Sequence, residues 1–319
     1  MKKSVNLLVM LALFGFVMPV MAAPQEVAVD DRPIVGGEVD PDDVEDAVEL
    51  DEAESGWALG GCVGVTFHSK QVTYGLIDNP HGILQPAAEL SFGHDDFFTL
   101  AIGVESLFDT TNYGAKDGGY NDRRWKYQEL DPYASLSRSW GLWEETSLYT
   151  EIGYFYEYHP RSCNKPALEY SYPDAQYVTA VVGLEDNLLN PTFEVEYQIE
   201  GYGEETDDDG EGALYLTFSI SHEFDLSEAL GLEEGSLCIT PTLGVGAADK
   251  HRNMCDLGLN ESFSLRDAFA SVELSYCPVE GLSIAPYIAC HQQLDSDTRD
   301  VVEDDEFVAY FGIGVSYEF

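Results

Sequence analysis

The side chains able to move a proton or attack a bond are spread thinly along the 319 residues of this chain. His81, His94, His159, His222, His251 and His291 have no partner at a spacing known to build a catalytic site, and no GxSxG motif occurs. The six cysteines, Cys62, Cys163, Cys238, Cys255, Cys277 and Cys290, form no CxxC pair and no His/Cys metal spacing. The run Asp207-Asp208-Asp209-Gly210-Glu211 has the charge of a calcium loop without the alternating ligands or the distant Glu of an EF-hand. No catalytic residue, metal site or cofactor is expected.

What recurs is carboxylate. Between Phe193 and Glu200 apolar Phe193, Val195, Tyr197 and Ile199 alternate with Glu194, Glu196, Gln198 and Glu200. Glu151 and Glu157 alternate with Ile152, Tyr154 and Tyr156. Glu223 stands opposite Leu216, Phe218 and Ile220, and Glu273 opposite Val272 and Leu274. Period two puts the acids on one face of a strand and the apolar residues on the other. Should the apolar faces meet lipid, Glu151, Glu157, Glu194, Glu196, Glu200, Glu223 and Glu273 line a lumen, and rings of such residues favour cations.

The elements that must carry these faces are strands. Phe307 to Phe319 alternates throughout and finishes Tyr317-Glu318-Phe319. An amphipathic last strand with Tyr317 and a terminal Phe319 is the assembly signal of a bacterial outer-membrane barrel, whose aromatic residues sit at the membrane interface. Strands are expected over Ala58 to Leu76, Gln85 to Gly93, Phe97 to Leu107, Lys126 to Trp140, Glu145 to Tyr158 and Asp174 to Glu185. They continue over Thr192 to Tyr202, Ala213 to Phe224, Leu237 to Ala247, Arg266 to Cys277, Leu282 to Gln292 and Glu306 to Phe319. That is about 12 strands, with short breaks alternating with long ones, as periplasmic turns alternate with outer loops. A secreted β-sandwich explains any single strand but not this alternation. Pro241 and Pro286 fall inside proposed strands, where a bulge would tolerate the missing donor.

Lys2 and Lys3, the apolar run Val5 to Val17 and the small residues before Ala23 read as a signal peptide cleaved after Ala22. The domains expected are a signal peptide over 1–22, an acidic periplasmic tail, plug or linker over 23–56, and an all-β, closed antiparallel transmembrane barrel over 57–319. The net charge of −44, from 59 acidic against 15 basic residues, argues against nucleic acid as a partner. Lys116, Arg123, Arg124, Lys126, Arg161, Lys165, Lys250, Arg252 and Arg299 cluster at the long breaks, where they could meet lipopolysaccharide phosphates. Cys238 and Cys277 share inward parity on adjacent strands and could form a disulfide; Cys163 and Cys255 could pair in outer loops.

The stretch Thr66-Phe67-His68-Ser69-Lys70-Gln71-Val72-Thr73-Tyr74-Gly75, with Pro80, Gln85-Pro86 and Gly153-Tyr154-Phe155-Tyr156-Glu157-Tyr158-His159-Pro160, resembles the TorF-type family of outer-membrane porins. The resemblance implies a porin-like barrel and brings no catalytic residues. The partners expected are outer-membrane lipid and lipopolysaccharide, the outer-membrane assembly machinery, and small solutes or cations. The expected function is passive diffusion of small hydrophilic solutes through a cation-preferring pore. The alternative is a non-conducting structural or adhesive barrel acting through its outer loops, favoured by inward bulky groups such as Tyr149, Phe155, Tyr215, Phe269 and Tyr287.

Overall fold

The computed structural model describes residues 56–94, 97–110, 126–143, 146–158, 174–185, 188–200, 212–258, 263–302 and 306–319. The signal peptide, the acidic segment, the acidic run 207–211, His159 and Cys163 lie outside the described residues, as do most of the basic loop positions.

Strands run over Trp57–His68 (β1), Gln71–Thr73 (β2), Leu76–Asn79 (β3), Ile83–His94 (β4), Thr99–Asp109 (β5), Lys126–Trp143 (β6), Thr146–Glu157 (β7) and Ala175–Glu185 (β8). They continue over Pro191–Glu200 (β9), Leu214–Ser221 (β10), Phe224–Asp225 (β11), Leu237–Asp249 (β12), Phe263–Val279 (β13), Leu282–Gln293 (β14) and Phe307–Glu318 (β15). Three short helices interrupt them: α1 (Ser227–Leu230), α2 (Lys250–Leu257) and α3 (Ser296–Val302).

The long strands form a closed antiparallel barrel of 12 strands. Each pairs with its neighbour in sequence, β10 pairs with β12, and β1 pairs with β15 to complete the ring. Closure leaves no unpaired edge, which is what a sheet surrounded by lipid requires. The two-residue β11 pairs only with the start of β12.

The burial pattern follows from period two. Along β15 Phe311, Ile313, Val315 and Tyr317 are exposed on the outside, while Val308, Tyr310 and Gly312 turn inward and are buried. Leu90, Phe92, Ile102, Leu136, Ile152, Val182, Phe193, Phe218, Val245 and Ile288 are likewise exposed. Such a girdle would be ruinous for a barrel in water and is the natural surface of one in a membrane.

Inside, aromatic rings lie flat over glycines of the next strand. A Cβ on Gly103 would overlap the ring of Tyr133, and one on Gly312 the ring of Tyr287. These close approaches let inward Tyr side chains fold back against the wall.

Several expectations need correction. The first strand ends at His68 rather than Leu76; the chain then reverses into a separate hairpin, β2–β3. The strand expected over Ala213 to Phe224 ends at Ser221, and Phe224 belongs to the separate two-residue β11. Pro241 pairs with Val272 and Pro286 with Ile313, and neither sits at a register shift, so no bulge accommodates them.

Candidate functional site: a carboxylate-lined lumen narrowed by a hairpin

The lumen is shaped first by the β2–β3 hairpin, which folds inward from the β1–β4 connection. Its turn is Tyr74-Gly75, with φ of 51° and 77°. Two successive positive φ values make the tight primed turn that suits a twisted hairpin; Tyr in the first position is strained there. Val72 and Ile77 are cross-strand partners and pack on Tyr287, Ala289, Val308 and Tyr310 of β14 and β15. This apolar contact seats the hairpin on one wall.

The tip reaches the opposite wall. The Tyr74 hydroxyl donates to Glu196 of β9, and its ring lies 4.4 Å from that of Tyr215 of β10. Gln293 donates from Nε2 to the Gly75 carbonyl at 2.6 Å. Arg252 completes the anchor: its Nη2 lies 2.5 Å from Glu196 Oε1, and its guanidinium sits 4.5 Å above the Tyr74 ring. Burial, and then the negative charge of Glu196, push the Tyr74 phenol well above its ordinary pKa, so it remains a donor.

Helix α2 positions Arg252. Asp249 caps the helix by accepting from the Arg252 amide at 2.9 Å, and Gly258 ends it in the left-handed conformation. Asp256, one turn on, lies 3.8 Å from Arg252 and 2.5 Å from Arg266 of β13. Both arginines are essentially fully buried, at 1% and 0% exposure. Arg252 was expected in an outer loop facing lipopolysaccharide; its burial against Glu196 rules that role out for this residue.

Beside the hairpin, the wall made by β4 to β9 carries further inward acids. Register brings Glu89, Glu105, Asp131 and Glu157 to its inner face, with Glu129 one inward step along β6 from Asp131. The acids facing Glu129 are Asp131, Asp78 of β3 and Glu105, so the hairpin adds a carboxylate of its own. Polar partners hold some of them in place. Gln85 donates to Glu105 at 2.5 Å, Tyr133 to Glu89 at 2.8 Å, Tyr149 to Glu151 at 2.5 Å and Tyr177 to Glu157 at 3.1 Å. Arg252 and Arg266 are already committed to Glu196 and Asp256.

Of the carboxylates picked out by alternation, Glu151, Glu157, Glu194 and Glu196 lie on the inner faces of β7 and β9. Glu273 is inward on β13, opposite Tyr287. Glu223 is exposed just beyond β10. Glu200 departs from the pattern: a register shift pairs it with outward Gln176, which donates to it and accepts from Tyr154. The extra residue at the shift turns Glu200 to the outside, away from the lumen. Tyr317 is outward and exposed, as is Phe319, whose backbone pairs with Gly61. The residues that alternation missed are Asp78, Arg252 and Arg266; the one available signal was Tyr74-Gly75 between two short strand-forming triplets.

The proposed disulfide is absent. Cys238 and Cys277 are free thiols. Register sets Cys238 opposite Ser275, and the Cys277 amide bonds to Ser236, so the two cysteines lie diagonally rather than face to face. Cys163 and the side chain of Cys255 lie outside the described residues.

Two histidines are held at both ring nitrogens: His68, between the Tyr287 hydroxyl and Gln85 Oε1, and His291. His291 Nδ1 lies 2.8 Å from Asp267 Oδ2, and its Nε2 faces the Tyr310 hydroxyl at 3.4 Å. Tyr215 donates to the other oxygen of Asp267. The group facing Nε2 is a phenol rather than a serine or a thiol, and the array braces the wall behind the hairpin. Among the described residues no group of three or more His, Cys, Asp or Glu is arranged to hold a metal ion.

No family model matches the chain, and no curated protein matches it. Solved structures similar in shape include OccK5 (OpdH) of Pseudomonas aeruginosa, with a TM-score of 0.37 and 11% identity over 82% of this chain and 67% of that one. OccAB2 of Acinetobacter baumannii gives 0.37 and 8% over 82% and 98%. Outer membrane phospholipase A of Escherichia coli gives 0.40 and 10% over 81% and 89%. At these scores the likenesses carry no functional argument.

Proposed function

We propose that this protein is a passive channel of a bacterial outer membrane, admitting small hydrophilic solutes with a preference for cations. The observation that carries this reading is the cluster of acids on the inner wall. Glu89, Glu105, Glu129, Asp131 and Glu157 lie together on the inner wall, while the buried guanidinium groups of Arg252 and Arg266 pair with Glu196 and Asp256. Acids fixed in a confined space, where they ionise, raise the local concentration of cations and repel anions. The work of the protein is then electrostatic and steric, with no bond made or broken. The TorF-type resemblance agrees with this reading.

The rival is a barrel that does not conduct, with its outer loops as its working surface. The inserted hairpin favours it, since Val72, Tyr74 and Ile77 fill lumen that an open pore would leave to water. Planar-bilayer recording of the refolded barrel under a salt gradient separates the two. Discrete steps with a cation-selective reversal potential, reduced by Glu129→Gln with Asp131→Asn, support the channel. A folded, heat-modifiable barrel that never conducts rejects it.

A further inference from the structure

The outward face of the barrel is largely apolar, and Arg138 is its cationic exception among the described residues. Among the described outward-facing strand side chains it is the one guanidinium or ammonium group. Register pairs it with Thr150 of β7, which fixes its outward direction. It stands five residues before Trp143, the end of β6 at the short β6–β7 turn. At about 3.3 Å per residue, with the tilt of a barrel strand, that is about 12 Å from the rim. An arginine at this depth reaches the boundary between acyl chains and headgroups.

Its surroundings form a built pocket rather than a bare surface. The guanidinium lies 3.8 Å over the Trp140 ring. That ring is fixed from below, since Trp140 Nε1 donates to Thr150 Oγ1 at 3.1 Å and Thr150 Oγ1 donates to the Arg138 carbonyl at 3.1 Å. Phe97 and Phe98, from the short β4–β5 turn, wall the other side, with Leu136 and Ile152 as the floor. The groove has a volume of about 400 Å³ and opens to the bilayer. Arg138 Nε is shielded from solvent and has no hydrogen-bond partner among the described residues. A shielded donor left unbonded is costly, and the cost is relieved by an anion carried on an apolar body.

We propose that this groove binds one phospholipid of the periplasmic leaflet. Arg138 takes the phosphodiester through Nε and its terminal nitrogens, Trp140 and the Phe97–Phe98 pair flank the glycerol region, and an acyl chain lies over Leu136 and Ile152. The short turns β4–β5 and β6–β7 place the groove on the periplasmic side, where the leaflet is phospholipid. The proposal is independent of conduction, so failure of either leaves the other standing.

The test is native mass spectrometry of the full barrel, reconstituted with phosphatidylglycerol and released into mild detergent. The wild type should retain one phospholipid, Arg138→Gln should reduce that retention at least tenfold, and Arg138→Lys should retain an intermediate amount. Heat-modifiable gel mobility confirms that each variant is folded. Equal retention by Arg138→Gln and wild type, or no retained lipid in either, overturns the proposal. Displacement of the lipid by inorganic phosphate at tens of millimolar also overturns it, because the site would then be one for free anions.

Discussion

Replacing Arg252 by Met should release the hairpin from the far wall. The substitution keeps the length of the side chain and removes its charge. Glu196, whose side chain is 13% exposed, then loses its 2.5 Å partner and is left with Tyr74 as its donor. Breaking a buried ion pair by removing one member costs about 3–5 kcal/mol, most of it the penalty on the remaining charge. The docked hairpin bears that cost, because undocking lets water reach Glu196. With a factor of ten for each ~1.4 kcal/mol, the undocked population rises by roughly two to three and a half decades. In single-channel recordings Arg252→Met should show larger conductance steps and more open-channel noise than the wild type. The double variant Arg252→Met with Glu196→Gln removes both charges and keeps an acceptor for Tyr74, so it should return most of the way to wild-type behaviour. Unchanged conductance and noise in the single variant would refute the anchoring argument. So would a double variant indistinguishable from the single one.

Gly75→Ala should act in the same direction, since φ is 77° and its Cβ would sit 2.6 Å from Gln293 Nε2 and 2.9 Å from Asp267 Cβ; the turn alone loses about 1 kcal/mol, read as added open-channel noise. In a Cys163→Ser, Cys255→Ser background, exposed Cys277 should take a maleimide well before buried Cys238; if neither labels until a reductant is added, a disulfide joins them after all. The Ser227 hydroxyl, and then the Ser227 amide at 2.7 Å and the Gly235 amide at 2.9 Å, hold the Asp225 carboxyl below the usual range. Its contribution to stability is therefore present above the ordinary carboxylate pKa, near 4, and is lost as pH falls through the lower folded value. Asp225→Asn, with one carbonyl oxygen for two amide donors, should lower the melting temperature at pH 7, and the difference should close below about pH 4. A difference that persists unchanged at pH 2 would reject that assignment.

The barrel itself was legible in the sequence because a tilted strand between lipid and lumen obeys period two with little room for exceptions. Phe193 to Gln198 shows this most simply, and its parity holds in the folded chain. The pattern fails where one extra residue enters a strand: the shift beside Tyr177 sends Glu200 outward, and period two has no memory of such an insertion. The hairpin was hidden for a related reason. Gln71 to Asn79 keeps the look of a strand continuing from β1, and only the positive φ of Tyr74 and Gly75 reverses it. Arg252 was read as a loop charge because sequence shows its composition and not the fold of α2 over the lumen. Cys238 and Cys277 have matching parity, yet parity says nothing about diagonal offset along the ladder.

The seam between β1 and β15 joins Cys62–His68 to Gly312–Glu318 in seven pairs. Among the twelve barrel strands, every other pairing joins sequence neighbours. The entropy of ring closure is therefore concentrated in one step, joining residues roughly 250 apart at about 5 kcal/mol by the logarithmic loop law. Before that step the sheet has two raw edges and can fray inward from either. After it there is no terminal strand to peel, and any opening must break ladder bonds on both flanks of a strand at once. The ring converts a row of modest hairpins into a single cooperative unit whose lifetime is set by its seam.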